Sequence, residues 1–169
     1  MPFGKKDDEA REAAAMSRTL RDKALSVTAG ELSLAPTEGH LNVWGVLMEL
    51  GYPQAVATLA VFADGTSSLY ISTGGGVIGA GEHKPVRDVA EKFLFAAQGL
   101  VANFERAGEH PFPEPGRVRF YIRSFDGTLT AEAAEQELGN NHHNLGPLFH
   151  AGHAVITQMR LISERRDEA

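Results

Sequence analysis

The sequence predicts an α+β domain, an antiparallel sheet of four to five strands with helices packed on it. Three observations carry that expectation. Two turn signals, Asp64-Gly65 and Asp126-Gly127, each follow a strand-like run and demand a returning partner. Between the two hairpins lies a strongly amphipathic helical run that opens at Lys84-Pro85. The element order is helix, hairpin, helix, hairpin, helix, and a sheet covered by helices is an economical packing for that order.

Composition fits one folded unit with two appendages. The chain has 169 residues, 43% apolar and 22% charged, an ordinary globular balance. A chain near this length buries roughly 70% of its unfolded surface, so it needs no metal or disulfide staple. Cysteine is absent, which excludes a disulfide framework and a thiolate metal site and fits a cytoplasmic location. The net charge of −6 argues against a nucleic-acid partner, which would call for a basic surface. No apolar run approaches the ~20 residues of a membrane span, so no membrane partner is expected. Met1 to Asp8 has basic residues with no apolar stretch behind them, unlike a secretory signal. The expected division is a charged helical arm over 1–35, a single α/β domain over 36–163, and a charged tail over 164–169.

In the arm, Asp7 to Leu25 is rich in Ala, Glu, Arg and Lys, all strong helix formers. Asp7 or Asp8 suits its N-terminus. Its apolar content is thin, so a loosely attached helix is expected; the sharper alternative is an arm that docks on a partner subunit. In residues 41–50, Leu41, Trp44, Leu47 and Met48 share a helical face, with Gly51 and Pro53 as stop signals. This is read as the first helix of the domain. Residues 55–63 are apolar on both alternating faces, as in a central strand covered on both sides. After Asp64-Gly65 the chain returns over 67–72.

The long helix is expected over Pro85–Phe104, with Val86, Val89, Ala90, Phe93, Ala97, Leu100, Val101 and Phe104 on its buried face. A proline-rich loop, 109–116, leads to a clear strand in which Val118, Phe120 and Ile122 alternate with Arg117, Arg119, Tyr121 and Arg123. The polar face of that strand is expected to meet solvent or intramolecular acids. Residues 128–133 alternate like a strand, while 131–138 have high helix propensity; a strand through about Ala133 is preferred because the Asp-Gly turn requires it. The last helix opens at Pro147, with Leu148, Gly152, Val155, Ile156, Met159 and Ile162 buried.

Two motifs invite chemistry. Gly74, Gly76 and Gly79 satisfy G-x-G-x-x-G and are the candidate cofactor-binding residues. A dinucleotide cradle places the helix start inside the motif, whereas here the helix opens later, at Pro85, and the preceding strand is a hairpin arm. The competing reading extends the strand through Val77 and Ile78, with the glycines permitting a bulge or bend. His142, His143, His150 and His153 form the second cluster. His150 and His153 lie three apart on one helix, and with His143 they are the candidate metal ligands. No acid nearby in the helix completes the shell. No G-x-S-x-G elbow or Walker motif is present, so no catalytic residue and no cofactor is assigned.

The order of elements resembles the roadblock/longin-like group of small α/β domains, over about residues 38–163. The residues that carry it are the run Leu41–Leu50, the hairpin Ala55–Ile78, the helix Pro85–Phe104, the hairpin Arg117–Ala133 and the closing helix Pro147–Ile162. That family usually has a fifth strand before its last helix; four are convincing here. A profilin-like sandwich has a similar order. The resemblance implies a non-catalytic module that homodimerises, with a small GTPase or another protein as partner. The alternative is a small-molecule or metal-dependent enzyme or sensor, using the glycine-rich turn or the His142–His153 cluster.

Overall fold

The computed structural model describes residues 4–168. The chain is α+β, with one antiparallel sheet of seven strands in the order β4-β3-β2-β1-β6-β7-β5. The strands are β1 (Val43–Gly51), β2 (Val56–Phe62), β3 (Ser67–Ile71), β4 (Gly76–Val77), β5 (Glu105–Arg106), β6 (Arg117–Ser124) and β7 (Gly127–Ala134). The helices are α1 (Lys5–Ser26), α2 (Lys84–Gln98), α3 (Glu135–Gly139) and α4 (Gly146–Glu168). The sheet exceeds the expected four to five strands through β1 and through the two-residue edge strands β4 and β5.

The main correction concerns the helix expected over 41–50, where the chain instead forms the strand β1 from Val43. β1 is the centre of the sheet, paired with β2 on one side and β6 on the other. Every one of its residues is buried. A strand covered on both faces loses its polar alternation, and chance spacing of Leu41, Trp44, Leu47 and Met48 then mimics a helix. The β-favouring residues Val43, Trp44 and Val46 were the opposing signal.

β1 also contains a bulge. Val43 pairs with Ser124 and Gly45 with Arg123, so Trp44 is an extra residue on one side of the ladder. The insertion changes the phase of the strand. Val43, Val46, Met48 and Leu50 all face one core, while Trp44 and Leu47 face another.

The first core lies between the sheet and the pair α2 and α4. Leu59, Val61, Phe120 and Ile122 of the sheet pack there with Phe93, Val155 and Met159 of the helices. The close approach depends on Gly152, because a Cβ there would stand 2.7 Å from the Met48 Sδ. The second core lies on the opposite face, where α1 covers Trp44, Leu47, Ala60, Phe62, Tyr70 and Tyr121. α1 buries Ser17, Arg21, Ala24 and Leu25 against that face. The docking is confined to its C-terminal half; residues 5–13 are exposed.

Other boundaries move for local reasons. α2 stops at Gln98, before Gly99, and the expected continuation to Phe104 becomes a tight 3-10 turn (Val101–Asn103) followed by β5. β7 runs to Ala134, and the helix propensity of the following residues goes into α3. Residues 164–168 continue α4.

Candidate functional site

The most concentrated chemistry lies beneath α1. Glu49 sits in the middle of β1 and is fully buried. Its Oε2 accepts from Arg21 Nε and its Oε1 from Arg21 Nη2, both at 2.7 Å, and Oε2 also accepts from Thr58 Oγ1 on β2. A buried carboxylate requires such full pairing, because an unpaired charge in the interior is strongly destabilising. Arg21 Nη2 also donates to the His110 carbonyl at 2.8 Å, and the guanidinium lies 4.1 Å from the centre of the Phe112 ring. The proline-rich loop thus straps the ion pair from outside. Burial alone would lower the Arg21 pKa; the hydrogen bond and charge of Glu49 override it and hold it above its ordinary value.

Tyr121 of β6 completes this centre. It is fully buried and donates to the Pro111 carbonyl at 2.8 Å. Burial first, then the Glu49 charge, pushes its phenol up to about 12. The His110 ring meets it edge-on at 5.3 Å, and burial followed by the charges of Arg21 and Arg123 lowers the His110 pKa.

Arg123 makes the second anchor of α1. Its Nη1 donates to the Ala24 carbonyl and its Nη2 to the Val27 carbonyl, each at 2.7 Å. These are the orphan carbonyls at a helix C-terminus, where a cation is favoured. The guanidinium also lies 4.6 Å from the Trp44 ring centre, and Trp44 stacks on Phe62 at 5.8 Å. Further along the sheet, Arg117 and Arg119 both pair with Glu132 on β7. The polar face of β6 is therefore largely engaged inside the molecule, with Arg117 at its solvent-exposed end.

Beside α1 runs an open apolar groove. One end is a cleft of about 210 Å³ lined by residues that include Leu20, Lys23, Val27, Phe62, Ser68, Tyr70 and Ile78. The other end, also about 210 Å³, is lined by Ala13, Met16, Ser17, Leu20, Tyr70, Gly75, Gly76 and Ile78. Leu20, Tyr70 and Ile78 line both, so the two clefts adjoin.

The glycines are part of this wall. Gly76 lies in β4 opposite Tyr70, with φ +140°, and a Cβ there would collide with the Leu69 carbonyl. Gly74 lets the β3–β4 turn approach α1, where a Cβ would stand 2.8 Å from the Ala13 Cβ. Gly79 caps a 3-10 turn over Ala80–Glu82, and α2 begins only at Lys84. The helix start does not fall within the glycine spacing, and the glycines instead bring backbone close to backbone.

The histidines serve separate local tasks. His143 Nδ1 accepts from the Leu145 N–H at 3.1 Å, at the start of α4. His150 Nε2 bonds to Asn141 Oδ1 at 3.0 Å. His153 packs edge-on against Phe149 at 4.4 Å, and its buried Nε2 has no hydrogen-bond partner among the described residues. Burial lowers its pKa, the Glu135 charge opposes that, and His150 adds to it. Among the described residues, no group of three His, Cys, Asp or Glu side chains is arranged to hold a metal ion.

Sequence reasoning missed Glu49, Arg21 and Thr58. The available signal was Glu49 itself, a lone charge within an apolar run. No helix is long and apolar enough to cross a membrane, among the described residues. No family model, no curated protein and no solved structure matches the chain.

Proposed function

We propose that this chain is a cytoplasmic, non-catalytic homodimeric module that binds or regulates a protein partner. The observation that supports this reading is the division of labour on the α1 face. The ionisable groups gathered there are bound to one another or to backbone carbonyls and hold α1 in place, whereas the adjoining groove is apolar and open. Contiguous exposed apolar surface of this kind marks interaction sites. A platform for a small GTPase, as the roadblock/longin resemblance implies, is one form of that role.

Sedimentation velocity at micromolar concentration tests the reading: a dimer is expected, and a monomer throughout would sink the homodimer part. Metal analysis and a thermal-shift screen with nucleotides and divalent ions test the non-catalytic part. A stoichiometric metal, or a nucleotide-dependent rise of several degrees, would favour an enzyme or sensor using the Gly74–Gly79 turn or the His142–His153 segment.

A further inference from the structure

The exposed side of α1 carries a pattern that its buried side does not explain. Glu9, Met16 and Lys23 recur every seven residues and fall on one line along the helix, and all three are exposed. Met16 and Lys23 of that line border the apolar clefts, and Glu9 lies one turn beyond them. The groove spans Ala13 to Val27, about 21 Å of helix at 1.5 Å per residue. On its lips Met16 is 60% exposed and, across the groove, Ile78 is 63% exposed. Residues 5–13 are themselves helical and exposed. One element thus offers both a groove and an exposed helical segment.

We propose that the groove is filled by α1 of a second copy, lying antiparallel to the first with the two-fold axis at Met16. The proposal deepens the homodimer reading and rests on it. An antiparallel pair centred on residue 16 brings together positions whose numbers sum to 32. Met16 then meets Met16 of the other copy, Glu12 lies beside Leu20, and each Glu9 faces the opposite Lys23. The charge order is self-complementary only in this direction; a parallel pair in register would set Glu9 against Glu9 and Lys23 against Lys23. Neither Glu9 nor Lys23 has an ion-pair partner within its own chain, among the described residues. Residues seven apart stay on one side of a helix pair, so the line sets one apolar contact at Met16 between two charge pairs. The same face, not the sheet edge, becomes the symmetric contact, as a two-fold interface requires.

The test is charge reversal on the full chain, read as the dimer dissociation constant by sedimentation equilibrium. Glu9→Lys and Lys23→Glu each turn two attractive pairs into two repulsive ones, and each weakens dimerisation about tenfold. The double variant restores the pairs in swapped order and returns the constant to within about twofold of the parent. Met16→Asp, at the axis, weakens dimerisation more than either reversal. All three sites are exposed in the monomer, so circular dichroism confirms that each variant keeps its fold. A dimer whose constant ignores the single reversals overturns the α1 contact and leaves the homodimer reading intact. A parent chain that stays monomeric overturns both.

Discussion

Glu49 shows how one residue organises its surroundings. A carboxylate at the centre of a sheet is tolerated because three donor hydrogens reach it from α1 and β2. Removing one partner leaves the other charge buried and unpaired. Arg21→Ala is therefore expected to destabilise the fold by about 3–5 kcal/mol in a urea titration, while replacing Arg21 and Glu49 together with Met and Leu costs far less. Two histidines give a second residue-scale expectation. His153 and His110 both have folded-state pKa values below the usual value of about 6.5. The unfolded chain then takes up protons more readily than the folded one. The stability held by the neutral rings is present above about pH 6.5 and drains away as pH falls below it. Melting temperatures measured from neutral to mildly acid pH should fall, and His153→Phe should flatten part of that fall. An unchanged slope in the variant would assign the dependence elsewhere.

At the scale of elements, α1 is held by a few strong points and little area. Its own sequence is polar, and only Ser17, Arg21, Ala24 and Leu25 are buried. The chain's single tryptophan reports on that docking, because Trp44 lies in the same cluster as Leu25 and under Arg123. Leu25→Asp is expected to lift α1 and shift Trp44 emission to the red, while β6 amides keep their hydrogen-exchange protection. Loss of protection throughout the sheet would show that α1 is integral to global folding. Gly76→Ala is expected to lower stability by about 1–3 kcal/mol, since the added methyl meets the Leu69 carbonyl at a φ that L-residues avoid.

These same elements show what was legible from sequence. The two Asp-Gly hairpins, the central strand β2 and the body of α2 were readable, because turn chemistry and amphipathic period are local signals. β1 was not, because burial on both faces erased its period and left a helix-like residue spacing. The charged centre was legible only as an anomaly. Glu49 in an apolar run announces that a cation must reach it, but the bidentate partner lies 28 residues earlier, on a helix with several basic residues. Nothing in the arm's weak apolar stripe distinguishes Arg21 from Arg11 or Arg18. The arginines of β6 were visible as a face, yet their partners, Glu132 and the end of α1, depend on pairing across the fold.

On the scale of the whole molecule, the sheet is a wall between two unequal halves. One half is an apolar core under α2 and α4, and the other is a thinner, wired core under α1. That inequality has a consequence in time. During synthesis α1 leaves the ribosome before the sheet that receives it, and its two anchors wait for chain made later. Arg21 needs Glu49 and the carbonyl of His110, and the carbonyls of Ala24 and Val27 need Arg123, which lies 99 and 96 residues beyond them. An early segment is fastened late, because closing so long a loop gains nothing until the sheet that receives it exists. A nascent chain shorter than the β6–β7 hairpin therefore carries α1 as an unanchored helix, open to whatever meets it before its own fold does.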